Sequence, residues 1–163
     1  MCLLKNLKII NICGQSFTTL PESFGNLVNL EKLVLCDNPI KKLPISISKL
    51  QNLEEIRIID HKLNSIPESF SSLLNLKKLT LQREYDELDF ERCDGNLNFD
   101  FSKLKNLKRL NLKGFKILRI HKSILELRKN KLKLTLEIDR MCKDDEGDFI
   151  GFNTINENFT FKQ

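Results

Sequence analysis

Successive units of the chain start with Asn-Leu at residues 6, 29, 52 and 75, a constant interval of 23, and the next such start is at 106 after an interval of 31. This spacing constrains the fold more than composition does. A unit of that size is too small to enclose a core and must bury its apolar side chains against its neighbours. The expected object is therefore a stack of similar turns.

Each unit continues from its leucine through two residues to an aliphatic-x-aliphatic triplet: Ile10-Asn11-Ile12, Leu33-Val34-Leu35, Ile56-Arg57-Ile58, Leu79-Thr80-Leu81 and Leu110-Asn111-Leu112. Alternation over so short a span marks a short, half-buried strand. Leu134-Thr135-Leu136 adds a sixth. In the first three units an apolar residue follows at Phe17, Ile40 or Leu63, then Leu20-Pro21, Leu43-Pro44 or Ile66-Pro67, then Phe24, Ile47 or Phe70 with Leu27, Leu50 or Leu73. One strand and one return segment per unit close a core only by stacking.

These residues resemble the leucine-rich-repeat family over residues 3–139. The Leu-Pro-x-Ser-Phe/Ile runs at 20–24, 43–47 and 66–70 are similar to its intracellular, 23-residue, Ras-suppressor-like subclass. The resemblance implies an α/β-type solenoid, a right-handed superhelix of about five and a half repeats. Its concave side would be a parallel β-sheet of about six short strands, and its convex side mostly irregular or 3-10. It also implies a scaffold or regulator of a signalling protein, binding through the concave sheet. The family's usual spine asparagine, three residues after each triplet, is here Gln15, Asn38, His61, Glu84 and Phe115 in turn. Gln15 and Asn38 carry the amide that buried backbone groups would use; Phe115 does not. His121 stands where proline is expected in the fifth unit, which is 24 residues long, so the C-terminal half should be the less regular.

In a parallel stack the residues before, within and after each triplet form three ladders on one face, about 4.8 Å apart between strands. The first reads Ile9, Lys32, Glu55, Lys78, Arg109, Lys133; the second Asn11, Val34, Arg57, Thr80, Asn111, Thr135; the third Cys13, Cys36, Ile59, Gln82, Lys113, Glu137. The face should have an apolar end at Ile9, Cys13, Val34, Cys36 and Ile59, rimmed by Asp37 and Asp60 with Glu55 and Arg57 among them. Its other end should be basic, at Lys78, Arg109, Lys113 and Lys133. An apolar cluster rimmed by charge is the usual composition of a protein-binding site, so these ladders are the candidate partner-binding residues. Cys13 and Cys36 fall in register, close enough for a disulfide or a shared metal, but no third or fourth ligand accompanies them. Two small apolar residues is the better reading.

Charge is unevenly placed. Residues 83–101 carry two basic and seven acidic side chains, whereas residues 102–138 carry twelve and two. The acids of the first block fall mostly in an insertion at about 83–96, with Tyr85, Leu88 and Phe90 interleaved. That segment reads either as a solvated loop or as a cover over the basic block. The basic block raises nucleic acid as a partner, but no aromatic stacking platform accompanies it, which argues against. Residues 1–139 are expected to form the repeat domain, and 140–163, rich in phenylalanine, a capping tail.

Catalysis finds no support. His61 and His121 have no acid and nucleophile at a recognisable spacing, and neither a glycine-rich phosphate loop nor a zinc spacing occurs, so no cofactor or metal is expected. The five cysteines are odd in number and lack Cys-x-x-Cys spacing, which points to a reducing, cytoplasmic setting; no run is long and apolar enough to span a membrane. The chain opens at the tail of a repeat with no cap before Ile10. Three readings stay open: a fragment of a longer array, pairing of the bare edge with a partner or second copy as a homodimer, or a tolerated open end.

Overall fold

The computed structural model describes residues 4–63, 65–82, 99–112 and the backbone of 135–137. The acidic insertion, the boundary at 139 and the expected tail lie outside the described residues. Six strands appear: β1 Ile9–Cys13, β2 Lys32–Cys36, β3 Glu55–Ile59, β4 Lys78–Gln82, β5 Arg109–Asn111 and β6 Thr135–Glu137. They form one parallel sheet in the order β1 to β6, so each repeat pairs with the next in sequence. The first four strands pair in the expected register, with Ile9 opposite Lys32, Glu55 and Lys78 in succession.

The return segments are 3-10 helices at Glu22–Asn26, Ile45–Lys49 and Glu68–Ser72, each entered through Pro21, Pro44 or Pro67. Proline fixes its own φ and holds the residue before it extended, so each Leu-Pro or Ile-Pro step turns the chain at the same point of the repeat. Consecutive helices pack closely: a Cβ on Gly25 would lie 2.5 Å from the Ser46 carbonyl oxygen. Glu22 reaches across the same step, accepting hydrogen bonds from the N–H groups of Ile45 and Ser46, each at 3.0 Å.

The core is a set of apolar columns between sheet and helices: Leu30-Leu53-Leu76-Leu107, Leu33-Ile56-Leu79-Leu110, Leu35-Ile58-Leu81-Leu112 and Leu27-Leu50-Leu73-Leu104, all buried. Each such side chain contributes about 1.5–3 kcal/mol relative to exposure. The first repeat has a described neighbour on one side only, so Leu7 and Ile12 are partly buried and Phe17 is exposed. After the long interval the columns resume through Phe101, which takes the position of Phe24, Ile47 and Phe70. Phe99 bridges the step, edge-on to Phe70 at 6.0 Å and to Phe101 at 4.8 Å.

Two sets of side-chain amides tie the turns together. Asn38 is fully buried, and its amide makes four bonds: Oδ1 accepts from the N–H groups of Gln15 and Phe17, and Nδ2 donates to the carbonyls of Ile12 and Cys36. One position on, His61 is also buried, and its Nδ1 accepts from the Leu63 N–H at 3.0 Å. Gln15 serves its own turn, donating through Nε2 to the Cys13 carbonyl. Glu84 and Phe115 lie outside the described residues. The second set is exposed: Asn29, Asn52, Asn75 and Asn106 donate through Nδ2 to the carbonyls of Lys5, Val28, Gln51 and Leu74, at 2.8–3.0 Å.

The last pairing departs from the expected register. Arg109 lies opposite Thr135 and Asn111 opposite Glu137, not opposite Lys133 and Thr135. Leu132, Leu134, Leu136 and Ile138 alternate without interruption, so two triplets fit the repeat equally well. A slip of two residues keeps the pleat parity, and hydrophobic pattern cannot penalise it.

The two amide sets predict unequal costs. Asn38→Ala should lower unfolding free energy by about 3 kcal/mol, because it strands several enclosed backbone groups; Asn52→Ala, exchanging one exposed bond for water, should cost about 1 kcal/mol or less. Urea unfolding of both variants checks the order.

Candidate functional site

Over β1 to β4 the three ladders share one face of the sheet, whereas Lys133 lies outside the described residues. Strand alternation points Ile10, Leu33, Ile56 and Leu79 into the core, leaving the residues on either side of each outward. Ile9 is 60% exposed, with Asn11 and Cys13 also exposed beside it; Val34, Cys36, Ile59 and Thr80 are half-buried. Arg57, Lys78 and Arg109 are exposed, and Lys32 and Glu55 half-buried. Asn111 shares the face but is buried, which corrects its place among the partner-binding candidates. At 9% exposure its side chain offers a partner little surface. Lys113 lies outside the described residues.

Where β1 to β4 begin, charged side chains meet across repeats. Lys8 pairs with Glu31 at 2.8 Å and Lys77 with Glu54 at 2.6 Å. Glu55 takes both Lys32 at 3.2 Å and Lys78 at 3.5 Å. Burial works to raise the Glu55 carboxyl, but the two lysines prevail and hold it below the usual carboxylate range. These pairs fix the directions of the long side chains; exposed pairs of this kind are worth roughly 0–1 kcal/mol each.

Where the strands end, Gly14, Asp37 and Asp60 adopt left-handed backbone with φ of 67°, 51° and 55°. Glycine does so freely, and aspartate better than most residues, which turns the chain out of the sheet at the same point each time. Their N–H groups donate to the carbonyls of Cys36, Ile59 and Gln82 on the next strand. The turn brings two carboxyls together: a hydrogen bond that the protonated Asp37 carboxyl donates to Asp60 raises Asp37 above its ordinary value, and burial and Asp60's charge add to this.

Cys13 and Cys36 pair in register as free thiols. Burial pushes the Cys36 thiol up to about 11, helped by the neighbouring Cys13 and by Asp37, with Arg57 opposing. Cys36 is thus an un-ionised, small, weakly polar side chain at neutral pH. Among the described residues no group of three or more potential metal ligands occurs.

In fold, the chain matches a leucine-rich-repeat protein of Leptospira interrogans with a TM-score of 0.68 and 25% identity, over 85% of this chain and 33% of that one. The fold is that of a leucine-rich-repeat protein. It spans about a third of the length of the Leptospira protein. A second likeness, of fold alone, is to the leucine-rich-repeat ectodomain of the receptor kinase SOBIR1 from Arabidopsis thaliana: TM-score 0.53, 22% identity, 81% of this chain and 68% of that one. No protein-family model and no curated protein matches the sequence. No helix among the described residues of this leucine-rich-repeat chain is long and apolar enough to cross a membrane.

Two features escaped the sequence reading. One is the ladder of exposed asparagines, although the recurring Asn-Leu dipeptide signalled it. The other is Phe101 with Leu104, which repeats Phe70 with Leu73 at the offset of 31 seen between Asn75 and Asn106.

Two outcomes are expected at this site. At pH 7.5 Cys36 should alkylate roughly a hundredfold more slowly than an unperturbed thiol, since so little of it is thiolate; peptide mapping after timed iodoacetamide exposure measures this. For Asp37, a folded-state pKa above the unfolded one contributes stability below the unfolded pKa, and that contribution is lost as pH rises through the folded pKa. Asp37→Asn should therefore melt higher than wild type at neutral pH, with the gap closing on acidification, and asparagine also suits the left-handed turn. Thermal melts from pH 3 to 7 follow it.

Proposed function

We propose that this chain is a non-enzymatic protein-interaction module that binds its partner through the open, concave face of the sheet. The observation that carries the reading is the cluster Ile9, Val34, Cys36 and Ile59. Apolar side chains stand there on a sheet whose core is on the other side, with Lys32, Glu55 and Arg57 among them. Apolar anchors within a polar surround are the usual make-up of a binding patch. The ladders arrive pre-ordered, because every strand from β1 to β4 is held by its neighbours, so little side-chain and loop ordering is left to binding.

Six strands at about 4.8 Å spacing give a face roughly 25 Å wide, which places the interface at or below the common size of about 800 Å² per partner. Moderate affinity follows. Residues 1–139 would form the interaction domain, with 140–163 sealing its C-terminal end. Scaffolding or regulation of a signalling protein in the cytoplasm is the role that fits the 23-residue subclass its repeats resemble.

The test is affinity capture with wild type and with the triple variant Ile9→Asp, Val34→Asp, Ile59→Asp, after circular dichroism shows the variant folded. Proteins captured by wild type through this face should drop at least tenfold on the variant. Equal capture by both refutes the concave site.

A further inference from the structure

We propose that the basic corner of this face, at the start of β4 and β5, selects a short acidic polypeptide segment of the partner. The inference rests on the concave-face reading and adds the partner's chemistry to it.

The charges at the strand starts fall into two regimes. Across the first three steps every acid has a base: Lys8 on Glu31, Lys77 on Glu54, and Lys32 with Lys78 on Glu55. At the fourth step the pattern breaks. Lys78 lies in register with Arg109, and the N–H groups of Lys108 and Arg109 both donate to the Lys77 carbonyl, placing two like-charged pairs side by side. Like charges directly opposite on neighbouring strands are destabilising. Among the described residues neither Lys108 nor Arg109 meets a carboxylate, while Lys78 shares its only one with Lys32. The four cations gather at the starts of two adjacent strands, and Lys78, Lys108 and Arg109 are exposed. A partner carrying two or three carboxylates would neutralise the corner, and the fork of Arg109 can hold one of them bidentately.

The rest of the face decides between a peptide and a longer polyanion. A nucleic acid leaving the corner along the sheet would meet Glu54 and Glu55 at the start of β3 and Asp37 and Asp60 at the far ends of β2 and β3, after crossing the apolar Val34 and Ile59. Each repels a phosphate backbone or offers it nothing. A polypeptide can place acids at one end and apolar side chains at the other, matching both halves of the face. The charge contrast thus sets orientation as well as choice of partner.

The test uses the full chain and a fluorescein-labelled twelve-residue peptide with four glutamates followed by three spaced leucines. It is read by anisotropy against Lys108→Glu, Arg109→Glu and against the control Lys41→Glu, Lys42→Glu, which makes the same change in net charge on an exposed stretch away from this corner. Wild type should bind with an affinity that falls as salt rises. The corner variant should lose at least tenfold, and the control less than twofold. Equal loss in both variants, no binding by wild type, or tighter binding of a twelve-nucleotide single strand would overturn the proposal. The natural partner separates the two readings. Capture lost with Ile9→Asp, Val34→Asp, Ile59→Asp but kept with the corner variant defeats only the acidic segment, whereas capture indifferent to the apolar triple defeats the concave site itself.

Discussion

A single turn of this chain leaves most of its backbone polar groups unmet, and only the neighbouring turn can satisfy them. The parallel sheet does this for the strands, where one carbonyl of the preceding repeat, such as Glu31 or Glu54, accepts two N–H groups as the next strand begins. Away from the sheet the task falls to side chains. Asn38, itself fully buried, does it inside by bonding four groups, and Asn29, Asn52, Asn75 and Asn106 do it at the surface. Since an enclosed backbone group without a partner costs about as much as a lost hydrogen bond, lateral bonding decides whether apolar columns form at all.

The same bonding makes a surface out of a sequence period. With each strand locked to the next, residues 23 apart become neighbours, and a linear string of charges becomes rows. Lys32, Glu55 and Lys78 are far apart in sequence yet share one carboxylate. The Asp37–Asp60 contact arises likewise, from two turns that repeat the same left-handed backbone. Such contacts follow from the rigid repeat and not from local folding, so a change in register would rewrite the face while leaving the core almost intact.

Legibility in the sequence followed this division. Strands β1 to β4, their register and the outward ladders were readable from the spacing of Leu, Ile and Val, because the core admits only one placement of each. The prolines at 21, 44 and 67 marked the return helices for the same steric reason. Three points were not readable. The pairing of β6 was ambiguous because alternation from Leu132 to Ile138 looks the same after a two-residue slip. The burial of Asn111 depends on the height of its surroundings, which a pattern of residue types does not encode. His61 in the spine is a substitution whose fitness is visible only once Nδ1 is seen accepting the Leu63 N–H.

Regularity and specificity therefore pull apart along the array. In the first repeats the sequence spends its charged residues on each other, which holds side chains in place and leaves little net field. At β4 and β5 the period lengthens, the acids at the strand starts give way to Lys78, Lys108 and Arg109, and like charges sit side by side across the two strands. A core indifferent to what projects from its far face can tolerate that arrangement, since exposed charges cost far less than a buried defect would. The part of the face least constrained by folding is thus where a preference among partners is most readily encoded, while the apolar anchors beside it supply contact area to whichever partner that preference admits.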